Sequence, residues 1–334
     1  MKKSSNPEVL NWLLERENPS IRYFTLNSLL GRDLDDPEVK EARMSIMTEG
    51  IVAKIMEKQN EDGSWGDPLR FYRDKYKGTS WNLLILAELG ADPGDPGVRR
   101  ACEFILGHSR EPTEGGFSFD TSAKTGAGLP GGVIPCLTGN MVFSLMKLGY
   151  PEDPRVTQAI QWITTYQRAD DSILQPPKGE LYDRRRMCFD AHSCHMGVAK
   201  TLKGLVAVPK EQRTIAINET IEKLTEYFLI HHLYKKSHNL QETAKPGWLK
   251  LGFPLMYQTD ILELLGIFHE LGIRDSRLQD AVDILKKKRL DNGTWKLENT
   301  FNGRTLIPIE KKGEPSKWIT LKALIALKGE EGGV

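Results

Sequence analysis

Apolar positions in this chain recur at three- and four-residue spacing, in blocks separated by polar turns. The blocks "WNLLILAELG" (81–90) and "TDILELLGIFHELG" (259–272) read as helices closed by glycine, where a left-handed cap is cheapest. "VRRACEFILGHS", "VTQAIQWITTYQ" and "LQDAVDILKKKR" carry the same stripe and begin second helices. Between a first and a second helix stands one recurring phrase: "LGRDLDDPEVKEA", "LGADPGDPGVRRA", "LGYPEDPRVTQA" and "LGIRDSRLQDA". Its acids Asp36, Asp95, Asp153 and Asp275 recur at intervals of about sixty residues or twice that, and a degraded copy falls near residue 212. In the first three copies Asp-Pro supplies an N-cap and a proline for the first helical position. Each unit is therefore an antiparallel helix pair, and no stretch alternates convincingly enough for a sheet. The expected fold is all-α, a single domain over 1–334 with units at 18–67, 78–120, 136–177, 190–240 and 256–298 and a closing helix at 316–328. Stacked pairs form either an open solenoid or a closed ring.

Composition narrows the function classes. Lys and Arg number 46 against 45 Asp and Glu, so nothing asks for a nucleic-acid partner. No segment approaches the ~20 apolar residues of a membrane span, and the N-terminus has no signal-length apolar run. Four cysteines in a chain of this length, without an export signal, point to reduced thiols and a cytoplasmic location.

The turns that close the units favour the ring. "KQNEDGSWGD" (58–67), with Gln59, Asp62, Gly63 and Trp65, resembles the QW motif of squalene and oxidosqualene cyclases. "KKRLDNGTWKLE" (287–298) keeps Asn292, Gly293 and Trp295, whereas "YQRADDSILQ" (166–175) keeps Gln167 but has neither Gly nor Trp. Spaced along a helix-pair repeat, the motif resembles the α/α-toroid superfamily of terpene cyclases and protein prenyltransferases. The resemblance implies a toroid whose central cavity binds an isoprenoid or lipid-like ligand. Class II cyclases protonate an alkene with a D-x-D-D motif. Asp33, Asp35 and Asp36 spell that string here, but they sit in the repeat phrase, where capping explains them.

The stretch "MCFDAHSCHMG" (187–197) carries Cys188, His192, Cys194 and His195, and "PCLTGNMVFSL" opens an inner helix with Cys136. Prenyltransferase β subunits hold zinc with Asp, Cys and His at adjacent inner-helix starts. The resemblance thus implies zinc on Cys136 and His192, with Cys188, Cys194 or His195 completing the set. Ile134 stands where the family places its Asp. Zinc takes four ligands in structural sites and three plus an open position in catalytic ones. Two other readings stay open: a Cys194 nucleophile activated by His192 or His195, and simple packing of buried thiols. Asp260 is a further candidate catalytic group at an inner-helix start. Trp81, Tyr257 and Trp318 are expected to line the cavity, and Lys178 or Arg185 to meet an anionic group. The resemblance leaves two outcomes, an enzyme acting on an isoprenoid-type substrate or a non-catalytic binding or scaffold protein. Prenyltransferases also work with a second, helical subunit, which one sequence does not reveal.

Overall fold

The computed structural model describes residues 6–172, 175 and 177–329. Ile173 and Leu174 of the third turn, and Pro176 of the loop after it, lie outside the described residues. In chain order the helices are α1 Pro7–Leu13, α2 Pro19–Phe24, α3 Pro37–Thr48, α4 Gly50–Met56, α5 Thr79–Leu89, α6 Pro96–His108, α7 Pro135–Lys147 and α8 Pro154–Tyr166. They continue with α9 Glu180–Arg184, α10 Arg186–Phe189, α11 His195–Val206, α12 Ile215–Ile230, α13 Ile261–Leu271, α14 Gln279–Lys287 and α15 Lys317–Ala326. A π-helical turn, Thr25–Leu29, extends α2. Two small antiparallel pairings, Lys235–Lys236 (β1) with Asn239–Thr243 (β2) and Trp295–Lys296 (β3) with Pro315–Ser316 (β4), interrupt an otherwise all-α architecture. No helix among the described residues is long and apolar enough to cross a membrane.

The repeat phrase caps helices. Asp36 Oδ1 accepts from Glu38 N at 2.8 Å, Asp95 Oδ1 from Gly97 N at 2.8 Å, and Asp153 Oδ1 from Arg155 N at 2.8 Å. Each is followed by proline in the first turn of α3, α6 or α8. Asp33 holds the loop by accepting from Asp35 N at 2.8 Å. The acids of the D-x-D-D string are thus occupied with helix and turn geometry. In the degraded fourth copy Thr214 replaces the aspartate, and its hydroxyl accepts from Ile217 N at 3.3 Å to start α12.

Helices α2, α5, α7, α11, α13 and α15 touch in a closed circuit, and α3, α6, α8, α12 and α14 each pack against one of them from outside. The seam joins the two ends of the chain. Phe24 meets Trp318 edge-on at 6.0 Å, Lys328 Nζ donates to Leu29 O at 3.0 Å, and Lys317 pairs with Glu15. The closest approach is between α7 and α11. A Cβ on Gly139 would lie 2.2 Å from Lys200 O, and one on Gly204 would lie 2.7 Å from Gly139 O.

The turns tie each outer helix to the next inner one. Trp65 is fully buried; its indole donates to Ile55 O at 2.8 Å, and its backbone N–H donates to Thr79 Oγ1 at 3.0 Å. Trp295 repeats both bonds, to Leu285 O at 2.7 Å and Thr320 Oγ1 at 3.0 Å. Phe117 N makes the second bond to Thr138 Oγ1 at 3.0 Å. Gln59 Nε2 donates both to Gly63 O within the turn, at 3.1 Å, and to Gly97 O on the next outer helix, at 2.8 Å.

Rings and charges pack between the inner helices. At the end where inner helices begin, rings of Tyr72, Tyr76, Trp81, Tyr257 and Phe301 form a continuous layer with neighbouring centroids 4.3 to 6.3 Å apart. Deeper in, five charges from four inner helices meet, four of them buried or nearly so and Lys322 partly exposed. Lys200 Nζ donates to both oxygens of Glu263 at 2.7 Å, Lys203 bridges Glu88 and Glu263, and Lys322 donates to Glu88 at 2.6 Å. Burial alone would raise the carboxyls of Glu88 and Glu263, but the lysines outweigh it and hold both below the ordinary range.

Candidate functional site

The two turns that depart from the repeat build one site. After α8, Asp170 takes the place held by Trp65 in the first unit. Its N–H donates to Ser193 Oγ at 2.8 Å, the bond that Trp65, Phe117 and Trp295 make to threonine. The next residue, Asp171, pairs in an antiparallel bridge with His192, just ahead of α11. After α12 no tryptophan turn forms. The chain runs through His231, then His232 and Leu233 at positive φ (43° and 66°), into the β1–β2 hairpin, whose turn carries His238. A 3-10 turn, Pro246–Leu249, follows and brings Trp248. Thr259, just before α13, keeps a buried hydroxyl with no hydrogen-bond partner, so the tie made in the other units is missing here.

Three of the seven histidines surround Asp171, and a fourth, His195, lies beside one of them, His231. Asp171 Oδ1 lies 3.2 Å from His192 Nδ1, 3.4 Å from His231 Nε2 and 3.8 Å from His238 Nε2. It is buried and receives no hydrogen bond of normal geometry. His231 Nδ1 lies 2.6 Å from Tyr227 O, and a carbonyl only accepts, so Nδ1 carries the ring proton. In a neutral ring Nε2 is then a lone pair facing a carboxylate oxygen. Two acceptors face each other, and only a proton or another cation between them makes that favourable. Asp171, His192 and His238 each offer a ligand atom, and these lie within 4.8 Å of one another. His192 Nε2 is bonded to Ser172 Oγ, the outer contact that orients a ligating imidazole. The two histidines are exposed and the aspartate is buried, so the site opens outward from a fixed carboxylate.

The thiols stand beside this site. Cys194 is the N-cap residue of α11, and its N–H donates to Cys188 O at 3.1 Å. Cys136 lies in the first turn of α7. Burial first, then the neighbouring thiols, pushes Cys136 and Cys188 up to about 12, so both stay protonated at neutral pH. Cys136, Cys188, Cys194 and His195 do not enter the Asp171–His192–His238 set. His195 is buried and stacks on Trp248 at 3.6 Å. Burial, then the nearby His231 and Lys245, holds it well below its ordinary value, so its ring is neutral.

The remaining expected residues are dispersed. Trp81 is buried, its indole donating to Tyr72 O at 2.8 Å, and Trp318 stacks on Phe253 at 4.5 Å. Tyr257 is half-buried under Lys75, Arg185 lies over Phe119, and Lys178 is exposed in the loop ahead of α9. Asp260 is the N-cap of α13 and accepts from Glu263 N at 2.9 Å and Gly252 N at 2.8 Å. The cleft it shares with Glu88, Glu263 and Lys322 holds about 20 Å³.

Burial raises the Asp260 carboxyl to about 7. A raised carboxyl contributes stability that is complete below its unfolded value near 4 and disappears as pH climbs through 7. Across that window the loss is on the order of 4 kcal/mol. Asp260→Ser keeps a capping oxygen and removes the titration, so calorimetry from pH 5 to 8 should show a shallower fall in melting temperature than in the parent. Equal slopes would disprove the assignment.

No family model and no curated protein matches the chain. Solved structures of similar overall shape include a protein from Actinoplanes, 14% identical, covering 93% of this chain and 89% of its own, at TM-score 0.44. A variant of the type II terpene cyclase MstE from Scytonema, in complex with geranylgeranyl dihydroxybenzoate, is 16% identical over 93% of this chain and 85% of its own, at TM-score 0.41. A possible member of the GH105 family from Salmonella enterica serovar Paratyphi A is 10% identical over 91% of this chain and 97% of its own, at TM-score 0.42. At TM-scores below 0.5 these likenesses add nothing to the ring that the chain's own helix contacts draw.

Proposed function

We propose that this chain is a metal-dependent protein whose Asp171, His192 and His238 hold a zinc ion at the mouth of the helical ring. One observation carries the reading: a buried carboxylate oxygen, free of hydrogen bonds, faces three imidazole nitrogens. Oxygen and imidazole donors suit zinc, and three protein ligands leave a fourth position open, which favours a reactive centre over a purely structural one. Bound zinc supplies Lewis acidity toward an oxygen of the ligand. The chain's own groups set the frame: Ser172 fixes the His192 ring, and the Tyr227 carbonyl fixes the tautomer of His231, which backs the carboxylate. The aromatic layer at the mouth suits the apolar body of an isoprenoid-like molecule lying across it.

Metal content by mass spectrometry of untagged protein tests this. About one zinc per chain is expected, retained in Cys136→Ala and Cys188→Ala and lost in Asp171→Asn and His238→Ala. Zinc kept by the second pair and lost by the first would transfer the site to the thiols. No zinc in the parent, even after loading, would end the proposal.

A further inference from the structure

Among the described residues seven lysines are not exposed: Lys75, Lys200, Lys203, Lys235, Lys288, Lys317 and Lys322. Six of them pair with a carboxylate, Lys200 with Glu263, Lys203 with Glu88 and Glu263, Lys235 with Asp280, Lys288 with Glu298, Lys317 with Glu15 and Lys322 with Glu88. Lys75 is the exception. Its Nζ lies 4.7 Å from the centroid of Tyr257 and 5.2 Å from that of Tyr72, with no carboxylate in ion-pair range. Arg185 is in the same position. It is half-buried, its guanidinium carbon is 5.1 Å from the Phe119 ring, and its one side-chain hydrogen bond runs from Nε to Val133 O at 3.3 Å. The rings of Tyr72 and Phe119 are neighbours, with centroids 5.9 Å apart. Arg73 also lies over Phe119, at 5.7 Å, but Asp120 neutralises it through two bonds.

A chain that supplies a carboxylate to each of its other sequestered lysines leaves Lys75 and Arg185, each over one of two neighbouring rings, without one. Ring faces offset part of the desolvation of a cation, but they leave its charge uncompensated. We propose that Lys75 and Arg185 form a site for an oxyanion, the phosphate or carboxylate group of a small molecule lying on Tyr72 and Phe119. Lys75 supplies a point charge, Arg185 a planar fork that matches two oxygens, and the two tilted rings an apolar surface for whatever carries the group. The site involves none of Asp171, His192 or His238.

Inorganic phosphate and benzoate, titrated separately into the full chain at low ionic strength, test it through tryptophan fluorescence and melting temperature. Saturable millimolar or tighter binding of at least one is expected, weakened by sodium chloride. Lys75→Met and Arg185→Met should each weaken it about tenfold, the loss of one charge-assisted contact. Lys75→Arg should retain it. Binding of phosphate alone assigns a phosphate group, and binding of benzoate alone a carboxylate on an aromatic body. No saturable binding of either, or equal affinity in both methionine variants that melt like the parent, overturns the proposal. Asp171→Asn should bind the anion unchanged, so loss of the metal reading leaves this result standing, and the reverse holds as well.

Discussion

Glu263→Gln should unfold the protein some 5–15 °C below the parent, the counterpart of about 3–5 kcal/mol in a chain of this size. Lys200 is 1% exposed, and both of its ion-pair contacts, at 2.7 Å, are to Glu263. An amide in place of the carboxylate leaves a buried ammonium with no anion in contact, Glu88 acting on it only from farther off. Lys203 is less affected, because Glu88 remains beside it. The double variant Glu263→Gln, Lys200→Met removes the stranded charge and should recover much of the loss, since a buried pair contributes far less than the penalty of breaking it. Thermal unfolding of the two variants decides the matter. A single variant within about 1 kcal/mol of the parent, or a double variant less stable than the single, would show that the cluster is more hydrated than its burial implies.

Gly139→Ala should be the second severe substitution. Alanine is the better helix former by about 1 kcal/mol, so propensity predicts a gain. The geometry predicts the opposite, because the methyl would lie 2.2 Å from Lys200 O and 2.4 Å from Thr201 N, which are backbone atoms and cannot swing aside. Helices α7 and α11 would have to separate, and overpacking of this kind costs about 3 kcal/mol or more. Gly266→Ala in α13 is the control. A Cβ there meets nothing within 4 Å, so only the propensity gain applies. Chemical denaturation of both should give opposite signs. A stabilised Gly139→Ala would mean that the inner helices part easily.

The two substitutions also mark where sequence reasoning reaches its limit. Helix caps are local, so Asp36, Asp95 and Asp153 announced their helices from neighbouring residues alone. The turns with Trp65 and Trp295 were equally legible, since the glycine and tryptophan they need are a few residues apart. The resemblance led to an expected central cavity. Spacing tells which face of a helix points inward but not how near the opposite face comes, and here Gly139 and Gly204 bring α7 and α11 close while a layer of rings packs around Trp81. Of the three residues that could hold a metal ion, His192 was within reach because it lies in a dense Cys/His stretch. Asp171 and His238 belong to other units and meet it only when the ring forms. A signal for them did exist. The third turn lacks Gly and Trp, the fourth lacks the motif altogether, and those two turns supply the aspartate and the distant histidine. Departure from the repeat at two consecutive positions marked the place where these three residues meet.

The seam between α15 and α2 limits how this fold can change length. An open stack of helix pairs can gain or lose a pair at either end, because its terminal faces have no fixed counterpart. Here Trp318 must reach Phe24 and Lys328 must reach Leu29, so the number of pairs is fixed by the angle each contributes to a full turn. Removing one pair would open a gap about one helix diameter wide, some 10 Å, which side chains cannot span. Duplication or loss of whole units is therefore closed to this chain. Length can vary only in the segments between helices, such as the long excursion after α12, from His231 to Trp248.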